Sequence, residues 1–161
     1  MKQILMALLV SLLLLSCAGR GGDGKDQQST FTGEAGEIEL IVLAPGHFHA
    51  SLLQKSEMEQ VNKQVHIYSQ EENAGLAQYL SAIESFNARE AAPTAWESTV
   101  YTGSDYLERM LSDHKGNVVI LAGNNRDKTE YILASIDAGL NVLSDKPMAI
   151  NQSDFHLLEA A

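Results

Sequence analysis

Cysteine is nearly absent. Cys17 stands alone among 161 residues, which excludes an intrachain disulfide and any zinc site built from several thiolates. Basic residues are also few: eleven Lys and Arg face 21 Asp and Glu, a formal charge of −10, and no Lys/Arg cluster offsets it. Nucleic-acid affinity rests on neutralising phosphates, so no nucleic-acid partner is expected. The longest apolar run, Ile4 to Leu15, falls short of the ~20 residues that span a bilayer. The segment ahead of it, Met1-Lys2-Gln3, holds no arginine, so a twin-arginine export signal is missing. No internal repeat is found beyond a recurrence of strand and helix.

What is present at the N-terminus reads as an export signal. A single lysine, the apolar run and then Leu14-Leu15-Ser16-Cys17 form a signal peptide over residues 1–16 ending in a lipobox. Cys17 is then the lipidated N-terminus of an exported, membrane-anchored lipoprotein, held by several acyl chains. The alternative is an ordinary cleaved signal beside an incidental Cys17. Residues 17–37 are rich in Gly, Ser, Gln and charge and are expected to act as a flexible tether. The folded domain is placed at 38–161.

Within it, strands and helices alternate. Glu39–Ala44 reads as a first strand and Pro45–His49 as a tight turn, followed by a helix with Phe48, Leu52 and Leu53 on its apolar side. Val65–Tyr68 is a second strand, Ser69–Asn73 a polar loop, and Ala74–Ala88 an amphipathic helix carrying Leu76, Leu80, Ile83 and Phe86. Arg89–Glu97 is an unassigned connection in which Trp96 packs. Thr99–Tyr101 is a third strand. Ser104 is expected to cap the next helix, with Asp105 and Glu108 matching its dipole and Tyr106, Leu107, Met110 and Leu111 buried.

The run Val118–Ala122 is short and wholly apolar, as a strand buried on both faces requires. After the loop Gly123–Arg126, Asp127 and Glu130 form a capping-box signal. Ile132, Leu133 and Ile136 make that helix's apolar stripe, and Gly139 stops it in the left-handed conformation with Leu140 beyond. Asn141–Ser144 is the fifth strand, Asp145-Lys146-Pro147 lies at its carboxyl end, and a last helix begins near Ser153. The alternation predicts a doubly wound parallel α/β sheet, Rossmann-like, with strand order 3-2-1-4-5. Ligands of such sheets gather outside the carboxyl ends of the strands.

The ordered series Ala122-Gly123-Asn124-Asn125, Ala138-Gly139 and Asp145-Lys146-Pro147 resembles the nucleotide-binding domain of the Gfo/Idh/MocA oxidoreductases. The resemblance covers about 38–161. It implies NAD or NADP as cofactor and hydride transfer to or from a sugar or cyclitol-like alcohol. It implies Lys146 as the catalytic charge beside the nicotinamide, stabilising a developing alkoxide, with Asp145 on a ribose hydroxyl and Pro147 fixing the turn, where a cis peptide is expected. Ala122, Gly123, Asn124 and Asn125 are expected to line the same crevice. Family members carry a second α/β domain that covers the nicotinamide; this sequence is expected to stop short of it, leaving truncation or a partner chain as explanations.

The dinucleotide fingerprint Gly-x-Gly-x-x-Gly falls on Ala44, Gly46 and His49, so only its middle glycine stands. Ala44 is tolerable there if its φ is negative. His47, Phe48 and Ser69 are assigned to cofactor contact, and the acidic residue expected at the end of the second strand is replaced by Ser69-Gln70, with Glu71 and Glu72 late. His47 and His49 have the spacing of a metal pair, but His66, His114 and His156 lie in other elements, so no metal is assigned. The competing reading is a non-catalytic lipoprotein that reuses the fold to bind a carbohydrate or a protein partner.

Overall fold

A computed structural model describes residues 31–161. The expected signal peptide, the expected lipobox at Cys17 and the expected tether as far as residue 30 lie outside the described residues. The approach to the domain is organised by Glu37, whose carboxylate accepts backbone N–H bonds from Thr32 and Gly33.

Five strands form one parallel sheet in the order β3-β2-β1-β4-β5. They are β1 Ile38–Leu43, β2 Val61–Ser69, β3 Glu97–Thr102, β4 Val118–Leu121 and β5 Asn141–Ser144. At the centre, Ile41 of β1 pairs with His66 on one side and Val119 on the other. Side chains alternate across a strand, so β1 serves two cores. Leu40 and Val42 enter one, with Val65, Ile67, Ile120 and the helical Tyr79 and Ile83. Ile41 and Leu43 enter the other, with Tyr68, Met110, Val119, Leu121 and Ile132. The first core is covered by α1 (Ala74–Ala88) and a 3-10 helix (Phe48–Lys55), the second by α2 (Tyr106–Asp113) and α3 (Lys128–Asp137). A last helix, α4, spans Gln152–Glu159, and Asn151 caps it by accepting from the Asp154 N–H. No helix among the described residues is long and apolar enough to cross a membrane.

The doubly wound sheet agrees with the sequence reading, while several local expectations are corrected. The helix after β1 is a 3-10 helix, and its buried residues are Ala50, Ser51 and Gln54, whereas Phe48 and Leu52 are about half exposed, at 54% and 48%. Its path brings small and polar side chains onto the sheet because Gln54 has partners there: its carbonyl accepts from Trp96 Nε1 at 2.6 Å and its side chain from the Tyr79 hydroxyl. Asp105, not Ser104, is the N-cap of α2. The Asp127/Glu130 capping box does not form, since the Asp127 carboxylate accepts from Asn124 instead. The buried face of α3 is Lys128, Thr129, Tyr131, Ile132 and Ser135, with Ile136 exposed. Gly139 does terminate it at φ +77°, with Leu140 buried behind.

Candidate functional site

The carboxyl ends of β1, β4 and β5 open on one rim, and the turn after β1 is locked to its neighbours by backbone contact. Gly46 N–H donates to the Ala122 carbonyl at 3.0 Å, and Pro45 bridges Gly123. A Cβ on Gly123 would stand 2.7 Å from Gly46 N, and one on Gly75, in the first turn of α1, would stand 2.2 Å from the Pro45 carbonyl oxygen. Neither distance is compatible with a side chain, so three segments meet without one between them. Asn73 binds the junction together. Its amide donates to the Pro45 carbonyl at 3.0 Å and to Ser69 Oγ at 2.7 Å, while its oxygen caps α1 through Gly75 N–H at 2.9 Å.

The expectation of a negative φ at Ala44 is overturned: it stands at +44°, so the first fingerprint position has the left-handed backbone that glycine normally supplies. His49 holds the third position. The half-exposed ring turns toward Asp145, and its Nδ1 lies 3.2 Å from Asp145 Oδ2. His47 Nδ1 lies 3.9 Å from the same oxygen. The third partner sought for the histidine pair is thus Asp145, and not His66, His114 or His156; one potential ligand atom from each of His47, His49 and Asp145 lies within 4.8 Å of the others.

Asp145 is anchored from the far side by Lys128. The lysine is 1% exposed, and its ammonium donates to Asp145 Oδ1 and, at 3.2 Å, to the Asp145 carbonyl. Burial pushes the Asp145 carboxyl pKa up, but the bonds from Lys128 and His49 outweigh it and leave the pKa below the ordinary value. An ionised carboxylate only accepts, so His49 presents N–H at Nδ1 in this arrangement. Lys128 is the residue that sequence reasoning missed. Its signal was a cation in the first turn of a helix, where the dipole disfavours positive charge; such a placement needs a compensating anion.

The remaining assigned residues divide between the rim and its support. Lys146 and Pro147 are exposed, follow Asp145 at the end of β5, and are joined by a cis peptide bond. Phe48 is exposed beside His47, ring centroids 4.5 Å apart. Asn124 is exposed but turned inward on its own loop, accepting from Arg126 N–H at 3.0 Å. Asn125 follows it, partly buried. Ala122 and Gly123 form the junction. Ser69 is fully buried, with its hydroxyl held by Asn73, so in this arrangement it supports the turn and offers no surface to a ligand; Glu71 and Glu72 just beyond it are exposed. A groove of about 490 Å³ runs between the 3-10 helix and the ends of β4 and β5, with His49, Leu52, Leu143, Asp145 and Lys146 in its wall.

Residues 41–161 match the sequence model of a family described as "Oxidoreductase family, NAD-binding Rossmann fold". A crystal structure from Parabacteroides merdae ATCC 43184, described as a "putative oxidoreductase", is similar at 55% identity and a TM-score of 0.79, over 81% of this chain and 29% of that one. The chain therefore spans under a third of that relative's length. No curated protein matches.

Proposed function

This chain belongs to the Gfo/Idh/MocA oxidoreductase family, whose NAD-binding Rossmann-fold domain it carries, and from that premise we propose that its rim binds NAD or NADP for oxidoreduction of a sugar or cyclitol-like alcohol. The carrying observation is the side-chain-free junction of Gly46, Gly75 and Gly123, which holds the turn after β1 against its neighbours. The helix that follows begins at His47 with no side-chain cap. Ala50 N–H is taken by the His47 carbonyl at 3.0 Å, so the N–H groups ahead of it in that turn are the ones proposed to meet an anion such as a pyrophosphate. The fit is good at the pyrophosphate turn and poorer at the adenine ribose, where Ser69 is buried and only Glu71 or Glu72 can supply the carboxylate.

When bound, a nicotinamide supplies or accepts the hydride. The chain's own residues do the rest of the work at the rim. Lys146 brings an ammonium next to Asp145, where a substrate hydroxyl gains negative charge as its proton leaves. Asp145, ionised and fixed by Lys128, orients a hydroxyl of the ribose or substrate. Asn125 is proposed to offer its amide to the same ribose. Cover over the reacting carbon, and the partner acid or base, are proposed to come from a further α/β domain or a partner chain. The whole assembly is proposed to be lipid-anchored through Cys17; Cys17→Ser should then abolish partition into membranes, and a variant that still pellets with them removes the anchor from the proposal.

Titration of the full chain with NAD(H) and NADP(H), followed by nicotinamide fluorescence and thermal unfolding, tests the cofactor reading. A ligand at 100 times its Kd stabilises a folded state by ~2.7 kcal/mol. Absence of any shift with all four forms overturns it.

A further inference from the structure

We propose that His47, His49 and Asp145 form a binding site for one divalent transition-metal ion of the zinc class. The three side chains come from two loops that are distant in sequence and meet at the rim only because β1 and β5 flank β4. Asp145 Oδ2 is 3.2 Å from His49 Nδ1 and 3.9 Å from His47 Nδ1. Around a tetrahedral ion with bonds of ~2.0–2.1 Å, neighbouring ligand atoms stand about 3.3 Å apart. One edge of the triangle is already at that spacing, a second exceeds it by about half an ångström on the side of an exposed, adjustable histidine, and the third, between the two histidines, lies within 4.8 Å.

Hydrogen bonding alone does not account for the grouping. Lys128 already compensates the Asp145 charge, and in the metal-free chain His49 Nδ1–H donates to Oδ2, a proton that an entering ion displaces. His47, at 3.9 Å, is too far for a hydrogen bond and too near for a residue with no business there. A cation between the three would account for the placement of His47. The two imidazoles meet at 73° with centroids 4.4 Å apart, an edge-on arrangement that lets their ring nitrogens converge without stacking.

The supporting contacts are those a metal site uses. Lys128 holds Asp145 Oδ1 and the backbone carbonyl, which fixes the carboxylate and leaves Oδ2 for the ion. The Lys128 charge also opposes a cation, a reason to expect weaker binding than in a closed structural zinc site. Two nitrogens and one oxygen suit zinc, cobalt or nickel better than magnesium or calcium, which prefer oxygen alone. Side-chain exposures of 48%, 32% and 16% for His47, His49 and Asp145 provide an entry path. Three protein ligands leave a fourth position open to water or to a ligand oxygen, as in catalytic rather than structural sites. His49 and Asp145 also line the groove that Lys146 lines, so an ion here stands beside the proposed reacting hydroxyl.

The inference does not rest on the nicotinamide reading, and its test contains no nicotinamide. Untagged full chain in detergent, stripped of metal, is titrated with CoCl2 and followed by visible d–d absorption, then back-titrated with ZnCl2. One equivalent of Co2+ should bind with the absorption of a four- or five-coordinate centre and be displaced by zinc. His47→Ala should weaken binding by at least about tenfold, since loss of even a supporting contact costs 10–100-fold, while its metal-free thermal stability stays at the parent value because the ring is exposed. His49→Ala should do the same to affinity, and His156→Ala, on α4, should leave it unchanged. The proposal is overturned if no saturable one-equivalent binding is seen, or if His47→Ala and His49→Ala bind as tightly as the parent. A chain that binds cobalt but no nicotinamide keeps this proposal and loses the previous one; the reverse result does the opposite.

Discussion

The Lys128 ammonium, shut off from solvent at the start of α3, is bonded to both the carboxylate and the backbone carbonyl of Asp145, the first residue after β5. This ties a helix to the end of the neighbouring strand and makes the rim's acidic group part of the fold. Lys128→Met should therefore cost about 3 kcal/mol, the low end for breaking a buried pair because Asp145 keeps some contact with water. A lower urea midpoint with unchanged slope is the expected reading; an unchanged midpoint would mean the pair contributes nothing net.

The same pair sets an acid response. The Asp145 carboxyl is held below its ordinary value of 3.8, so in acid the folded chain binds fewer protons than the unfolded one. Its contribution is complete above the unfolded pKa and is lost as pH falls through the lower folded pKa. Between pH 5 and pH 3, the parent should lose stability more steeply than Asp145→Asn, whose amide does not titrate. Urea midpoints across that range decide it, and parallel curves would assign the acid response to other groups.

Gly75→Ala puts a methyl group 2.2 Å from the Pro45 carbonyl oxygen, against backbone that has no flexible end to yield. Overpacking of this kind costs about 3 kcal/mol. It should also displace the turn that carries His47 and His49, so both the midpoint and any ligand affinity of the rim should fall together. Retained affinity in a destabilised Gly75→Ala chain would separate the junction from the site.

Ala44→Gly is expected to stabilise. An L-residue in the left-handed region costs about 1–2 kcal/mol, and the extra freedom of glycine in the unfolded chain takes back about 0.5–1 kcal/mol. A net gain of about 0.5 kcal/mol should appear as a small rise in Tm.

The sequence made the sheet legible where apolar runs and punctuation coincide. Val118–Leu121 is too short and too apolar to be other than a buried strand, and Gly139 ends α3 at φ +77°. Faces were misread where polar groups are buried with partners. Ser135 turns inward because its hydroxyl donates to the Tyr131 carbonyl at 2.7 Å, and Lys128 because of Asp145, so the apolar stripe drawn through Ile136 pointed the wrong way. The 3-10 helix was misread for a similar reason, since Gln54 and Ser51 go in while Phe48 and Leu52 stay out. Gly46 was recognised as a turn glycine, but Gly75 was not, because its constraint comes from a segment some thirty positions earlier that only the tertiary structure brings near. The convergence of His47 and His49 on Asp145 was invisible for the same reason: local spacing finds the histidine pair and says nothing of the carboxylate across β4.

The backbone-on-backbone junction at Gly46, Gly75 and Gly123 has a consequence for anyone redesigning this rim. Specificity can be rewritten at Phe48 and Leu52, which are about half exposed. The start of α1 cannot be rewritten, although it touches no ligand, because there is no slack there for a larger residue to use. A mutational library spread evenly over both regions would find its tolerated variants almost entirely in the first.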